Sequence, residues 1–267
     1  MSPISSSPDR QSYETHFNYI SCLENLLRGI KLRYSGSLRP AMLPRLNEKD
    51  NLIKLTKKSL SDEKKIVDID PDYSYASTSW LPVKSYYLIF NTLLTLEYII
   101  KLQNTCFQAS HKNCIEEFTR KLSSGEIVFS EPILNTVFDA SILNYKSTIG
   151  SNLSPRTQPE LMYKLALRKI ARYKDEEWKR KEKINLRIKN HKARHQSYLN
   201  SSFFVSIFDF PYYMRIRSNY RDFAFIDGIN SAETSQYFNN YFAFTVRLVE
   251  ALEGVKSDLM AMRSVRP

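Results

Sequence analysis

The sequence predicts an all-α protein built as a helical bundle, and three observations carry that expectation. Glycine is scarce, 6 in 267 residues, which leaves few tight turns for a sandwich or barrel. Long stretches repeat apolar residues at intervals of three and four. Tyr (17) and Phe (15) are abundant and suit the wide spaces between packed helices. With 42% apolar residues, the chain can bury a core of its own in a single helical domain spanning 13–267.

Residues 1–12 are expected to be a disordered Ser/Pro-rich tail. From Tyr13 to Tyr34, the positions Phe17, Ile20, Leu23, Leu26, Leu27, Ile30 and Tyr34 predict a helix with one buried stripe. A short amphipathic helix is expected over 48–59, followed by a polar loop over 60–78. Trp80 to Leu102 is the most apolar helix, with Pro82 suited to a first turn. Because it is apolar around most of its circumference, it belongs at the centre. His111 to Leu122 forms the next helix, capped by Ser110. Ile127 to Phe129 is an extended piece, and one or two helical turns cover 132–143. Thr157 to Leu199 has neither Pro nor Gly after Pro159, so it is expected to be one long helix or two in line. A Phe-rich connector leads to a helix starting at Asp209. The last helix is capped by Ser231 and stopped at Gly254.

The net charge of +11 favours anionic partners. Three cysteines, Cys22, Cys106 and Cys114, do not make a disulfide framework, so a reducing, cytoplasmic setting is expected. Met1 to Pro8 lacks the apolar stretch of a signal peptide. The apolar run Tyr86 to Ile100 is shorter than the ~20 residues a bilayer needs and is broken by Asn91 and Glu97. No membrane association is expected.

Lys164 to His195 carries thirteen Lys/Arg against four Asp/Glu, a local excess of +9. Lys179, Arg180, Lys183, Arg187, Lys189, His191, Lys192 and Arg194 are the candidate nucleic-acid-binding residues. Cations at this density displace counterions from phosphates and bind with steep salt dependence. Tyr173, Trp178 and Tyr198 can stack on unpaired bases. The alternatives are a solvated face or a dock for an acidic protein. His191 and His195 share a helical face, but Lys192 stands where a zinc hydrolase needs Glu, and neighbouring cations repel metal. No metal site and no cofactor are expected. There is no Gly-rich phosphate loop and no Gly-x-Ser-x-Gly elbow.

Two segments and a closing helix resemble HEPN domains, small helical bundles common in prokaryotic toxin–antitoxin, abortive-infection and nucleotidyltransferase-partner systems. Val83-Lys84-Ser85-Tyr86-Tyr87-Leu88-Ile89-Phe90-Asn91 resembles their central YY-x-x-F helix. Arg215-Ile216-Arg217-Ser218-Asn219-Tyr220-Arg221-Asp222 is similar to their R-x-x-A-D-Y-x-D stretch, with Ser218 and Asn219 where Ala and Asp are usual. Phe242 and Val246 to Leu252 look like the closing helix. The resemblance implies core halves over 79–104 and 210–256, with the basic segment 157–200 as an insertion. It further implies RNA as partner, a homodimer, and a nucleotidyltransferase as a protein partner.

Active members carry an Arg, four to six residues, then a His, in which the His serves as acid or base. No His follows Arg215 or Arg217 in that window. The expectation is therefore RNA binding without catalysis. The alternatives are a metal-independent endoribonuclease or an interaction subunit. Arg215, Arg217 and Tyr220 are the residues where cleavage would be sought, and Asn219, Arg221 and Asp222 are expected to form a structural network with them.

Overall fold

The structure, a computed structural model, describes residues 8–43, 46–146, 158–220 and 229–264. Eight α-helices lie among them: α1 (Pro8–Leu26), α2 (Leu46–Ile69), α3 (Tyr73–Lys101), α4 (His111–Ser123), α5 (Pro159–Lys181), α6 (Lys189–Ser201), α7 (Asp209–Tyr220) and α8 (Ser231–Ser264). Two three-residue strands, β1 (Leu32–Tyr34) and β2 (Ile127–Phe129), pair antiparallel, with Leu32 opposite Phe129. Short 3-10 turns fill 104–108, 132–135 and 140–144. The protein is an all-α helical bundle, and no helix among the described residues is long and apolar enough to cross a membrane.

Helix α3 is the axis of the bundle. Its buried side chains include Tyr86, Ile89, Leu93, Leu94, Leu96 and Ile99, which point in all directions around the helix and leave little of its stretch from 81 to 99 for water. Helix α8 runs beside it in the same direction. The Ser74 hydroxyl donates to the Ser231 carbonyl at one end, and at the other Arg263 donates to the Ile99 and Ile100 carbonyls at 2.9 and 2.7 Å. Those carbonyls belong to the last turn of α3 and lack intrahelical partners. A guanidinium there satisfies them and complements the negative end of the helix dipole. Arg247 of α8 binds both the carboxylate and the carbonyl of Glu24, which fastens α1 to the same helix.

Several sequence boundaries are corrected. Helix α1 begins at Pro8, inside the expected tail, and ends before Gly29, whose φ of 66° turns the chain into β1. Tyr34 therefore lies in a strand, not a helix. The loop expected over 60–78 is mostly helix. Leu60 and Val67 are buried, and the charges around them pair within α2 or with α3, as in Glu63 to Lys84 at 2.9 Å and Lys65 to Asp62 at 2.9 Å. Helix α3 starts seven residues earlier than Trp80, so Pro82 sits inside it and leaves one carbonyl of the preceding turn without its usual donor. Gly254 does not stop α8, because Val255, Leu259 and Arg263 beyond it are buried. The Ser110 cap on α4 is present, accepting from the Asn113 amide.

The segment read as an insertion supplies core. Met162, Tyr163, Ala166, Leu167, Ile170 and Ala171 of α5 are all buried, and α5 packs on α1 and α7. The three cysteines are buried and unpaired with one another. Burial pushes the Cys22 and Cys114 thiols up to about 12.

Leu93 is 1% exposed and Leu248 fully buried. Leu93→Asp should leave no folded protein, since a lone charge has no partner there. Leu248→Ala should lower stability by about 2–5 kcal/mol, read from denaturant unfolding followed by circular dichroism.

Candidate nucleic-acid interface

The inner side of α5 is apolar up to Tyr173, and then a buried charge takes over. Lys174, only 4% exposed, donates to the Asp209 carboxylate at 3.0 Å and to the Phe204 carbonyl at 2.6 Å. Asp209 also accepts from the Ser206 amide at 2.9 Å. This joins α5 to the Phe-rich connector and to the first residue of α7. The connector itself is core, with Phe203, Val205, Ile207 and Phe208 buried.

Beyond Lys181 the helix stops, although no Pro or Gly stands there. Lys183 takes a positive φ of 51°. The Asn185 side chain accepts from the Arg187 amide at 3.0 Å, and the Asn185 amide donates to Nδ1 of His191 at 3.0 Å. The chain then returns as α6. The expected long helix, or pair in line, is thus a helical hairpin. Helix α6 buries none of its residues, so specific side chains hold it. Trp178 and Tyr198 stack with ring centroids 4.2 Å apart. Asp175 accepts from His195 at 2.6 Å and pairs with Lys179 at 2.8 Å. Glu182 pairs with Arg194. The periodicity signal could not reveal the fold-back, because helix breaking here depends on Asn185 and on polar clasps rather than on Gly or Pro.

The hairpin divides the predicted binding residues. Lys179 and Arg194 are paired to acids, and His191 accepts a backbone hydrogen bond. Arg180, Lys183, Arg187, Lys189 and Lys192, together with Lys181, are exposed and have no ion-pair partner among the described residues. Tyr173 does not serve as a stacking platform. It is 7% exposed, hydrogen-bonded to His16 at 3.2 Å and covered by Arg217 at 4.6 Å from its ring centre.

Arg215 and Arg217 do not share a site. Two residues apart on α7, they project to different sides. Arg215 lies over Tyr86, Tyr87 and Tyr212, its guanidinium 5.0, 5.6 and 5.7 Å from the ring centres, a set of cation–π contacts. Its Nε and Nη1 are buried without a hydrogen-bond partner. The side chains of Asn219 and Tyr220, and all of Arg221 and Asp222, lie outside the described residues. What the structure brings to Arg215 is His111, from the first turn of α4. Nδ1 of His111 is 2.7 Å from the Tyr86 hydroxyl. Burial, and then the Arg215 charge, hold the imidazole below its ordinary pKa, which favours the neutral form. No sequence spacing connects His111 to Arg215. The cluster of tyrosines near both was the available signal.

A cleft of about 410 Å3 opens between α4, α5, α6 and α7, lined among others by His111, Glu177, Trp178, Lys181, Tyr198 and Tyr212. It connects the hairpin to the Arg215 cluster through Tyr212. Among the described residues no group of His, Cys, Asp and Glu is arranged to hold a metal. The fold and site thus define an all-α protein with a cationic helical hairpin beside an aromatic cleft. No family model, curated protein or solved structure matches the chain.

His111 gives a pH signature. Its folded pKa is depressed, so the unfolded chain takes up the proton first as pH falls. The stability carried by neutral His111 is complete above about pH 6.5 and is lost on descending below it. Thermal midpoints measured from about pH 7.5 to 5 should fall less steeply in His111→Asn than in the native chain. Trp178→Ala should speed amide exchange across α6 while leaving α3 and α8 protected, because the indole stack is the main apolar clasp of that helix.

Proposed function

We propose that this protein binds RNA through the tip of the α5–α6 hairpin. The observation that carries the reading is the state of the hairpin's own acids. Asp175 is taken by Lys179 and His195, and Glu182 by Arg194. Six cations around the turn, Arg180, Lys181, Lys183, Arg187, Lys189 and Lys192, stand exposed, available to phosphates. The aromatic cleft next to them suits unpaired bases, which favours single-stranded RNA over duplex. The HEPN likeness of the sequence points the same way and extends the reading to prokaryotic defence or toxin–antitoxin systems.

A second reading, RNA cleavage without a metal, is favoured by one observation. A neutral imidazole and a guanidinium with unpartnered N–H groups lie together at His111 and Arg215. Those are the groups that a phosphodiester transesterification uses to move a proton and to stabilise developing charge.

Lys181, Lys183, Arg187, Lys189 and Lys192 changed together to Glu should weaken binding to a single-stranded RNA at least about tenfold. The plot of log affinity against log salt should flatten by about 0.7 for each phosphate that the protein ceases to neutralise, with helicity unchanged. Unaltered affinity and slope would remove the hairpin from the binding surface. Incubation of the same RNA with chelator separates the two readings: an intact strand supports binding alone, whereas fragments that disappear in His111→Asn and Arg215→Lys support cleavage.

A further inference from the structure

Among the described residues that line the cleft, Glu177 is the only acid. Its Oε2 is buried with no hydrogen-bond partner, and no ion pair to it is made among the described residues. The neighbouring ammonium of Lys174 is turned inward to Asp209 and Phe204. A buried, unpaired carboxylate oxygen costs free energy, and turning the side chain toward the N–H donors of a ligand in the cleft would relieve it. The carboxylate lies next to Tyr212 and Tyr213, whose phenols are pushed up first by burial and then in part by the Glu177 charge. Around it stand the Trp178–Tyr198 stack and Tyr212. Lys181 is unpaired at the same cleft, and Lys112 there pairs loosely with Glu116 at 3.5 Å.

A flat aromatic wall, an acceptor-only group and flanking cations match one nucleotide of a single strand, held by stacking, by its base edge and by its phosphates. A volume of about 410 Å3 falls within the range of small-ligand sites, roughly 300–1,000 Å3. The choice of base follows from the carboxylate. Ionised, it only accepts hydrogen bonds, and it accepts best from two parallel donors. Guanine alone presents two adjacent donors, N1–H and the 2-amino group, on its Watson–Crick edge. Adenine, cytosine and uracil each place an acceptor beside the donor and would set it against the carboxylate. We propose that the cleft receives an unpaired guanine of bound RNA, with Glu177 reading its N1–H and 2-amino edge. The inference rests on the RNA-binding reading above and names the base which that surface selects.

The test is the affinity of the native protein for uridine tracts of about eight nucleotides, a length within the usual single-strand site sizes. One central position carries G, inosine, A, C or U, and binding is followed by fluorescence anisotropy at fixed salt. The G tract should bind about tenfold or more tighter than the A, C and U tracts. Inosine, which lacks the 2-amino group, should fall between them. Glu177→Gln should bring the G tract down to the level of the others and leave the salt dependence intact. Equal, salt-sensitive binding of all five tracts would overturn the guanine assignment and leave RNA binding standing. Preference for another base, or a guanine preference that survives in Glu177→Gln, would also overturn it. Binding of none would overturn both readings. The base series on the native chain decides the question even if the variant does not fold.

Discussion

The buried ion pair between Lys174 and Asp209 is the interaction on which the functional end of the molecule depends. Two charges removed from water carry a large desolvation cost, which their mutual attraction offsets only when the remaining hydrogen-bonding capacity is also filled. Here the Phe204 carbonyl accepts from the ammonium and the Ser206 amide donates to the carboxylate. Ser206 is itself fixed by the Thr119 hydroxyl at 2.7 Å. One network therefore ties together α4, α5, the connector and the start of α7. Lys174 of that network also lines the cleft, whose other walls come from α5 and α6 of the hairpin and from α4 and α7. Each of these is positioned relative to the rest by that single polar knot within an apolar surround.

The hairpin then sorts its own charges. A segment as basic as 164–195 repels itself, and folding it back brings like charges closer. The structure answers by placing two of the segment's four acids at the clasp: Asp175 between Lys179 and His195, and Glu182 against Arg194. Neutralisation is concentrated where the two helices meet, and the remaining cations are left toward the turn. The same positive excess appears on the far side of α5, where Lys169 is held below its ordinary pKa by burial and then by Arg217 and Arg172. Glu177 departs from this scheme, since it faces the cleft and clasps nothing.

Much of the bundle was legible because its helices are amphipathic or wholly apolar. Leu93 and Leu94 announced a central helix, and they are buried. Ser110 announced a cap, and it accepts the expected bond. The places where helix was missed share one cause. Residues 60–69, the residues before Trp80 and those after Gly254 are polar or contain a breaker, and local propensity argued against helix in each. Burial of Val67, Ser74 and Leu259 against neighbouring helices outweighed that propensity, as packing commonly does. The candidate site was less legible. Exposed cations such as Lys183 and Arg187 stand out by composition, whereas whether a cation is paired depends on which acid the fold brings to it.

Composition and periodicity, by themselves, determined that the chain is helical, that α3 lies at its centre and that positive charge concentrates between Lys164 and His195. These are local properties, set by which residues follow one another at intervals of three and four. Only the tertiary structure decided that this charged segment turns back at Lys183, that Lys174 belongs to the core and that Arg215 and Arg217 part company. It alone set His111 beside Arg215 and left Glu177 unpaired in an aromatic cleft. Those facts depend on packing between residues far apart in the chain, and no repeat or spacing encodes them, because a side chain's partner is chosen by how whole helices meet rather than by its neighbours in sequence.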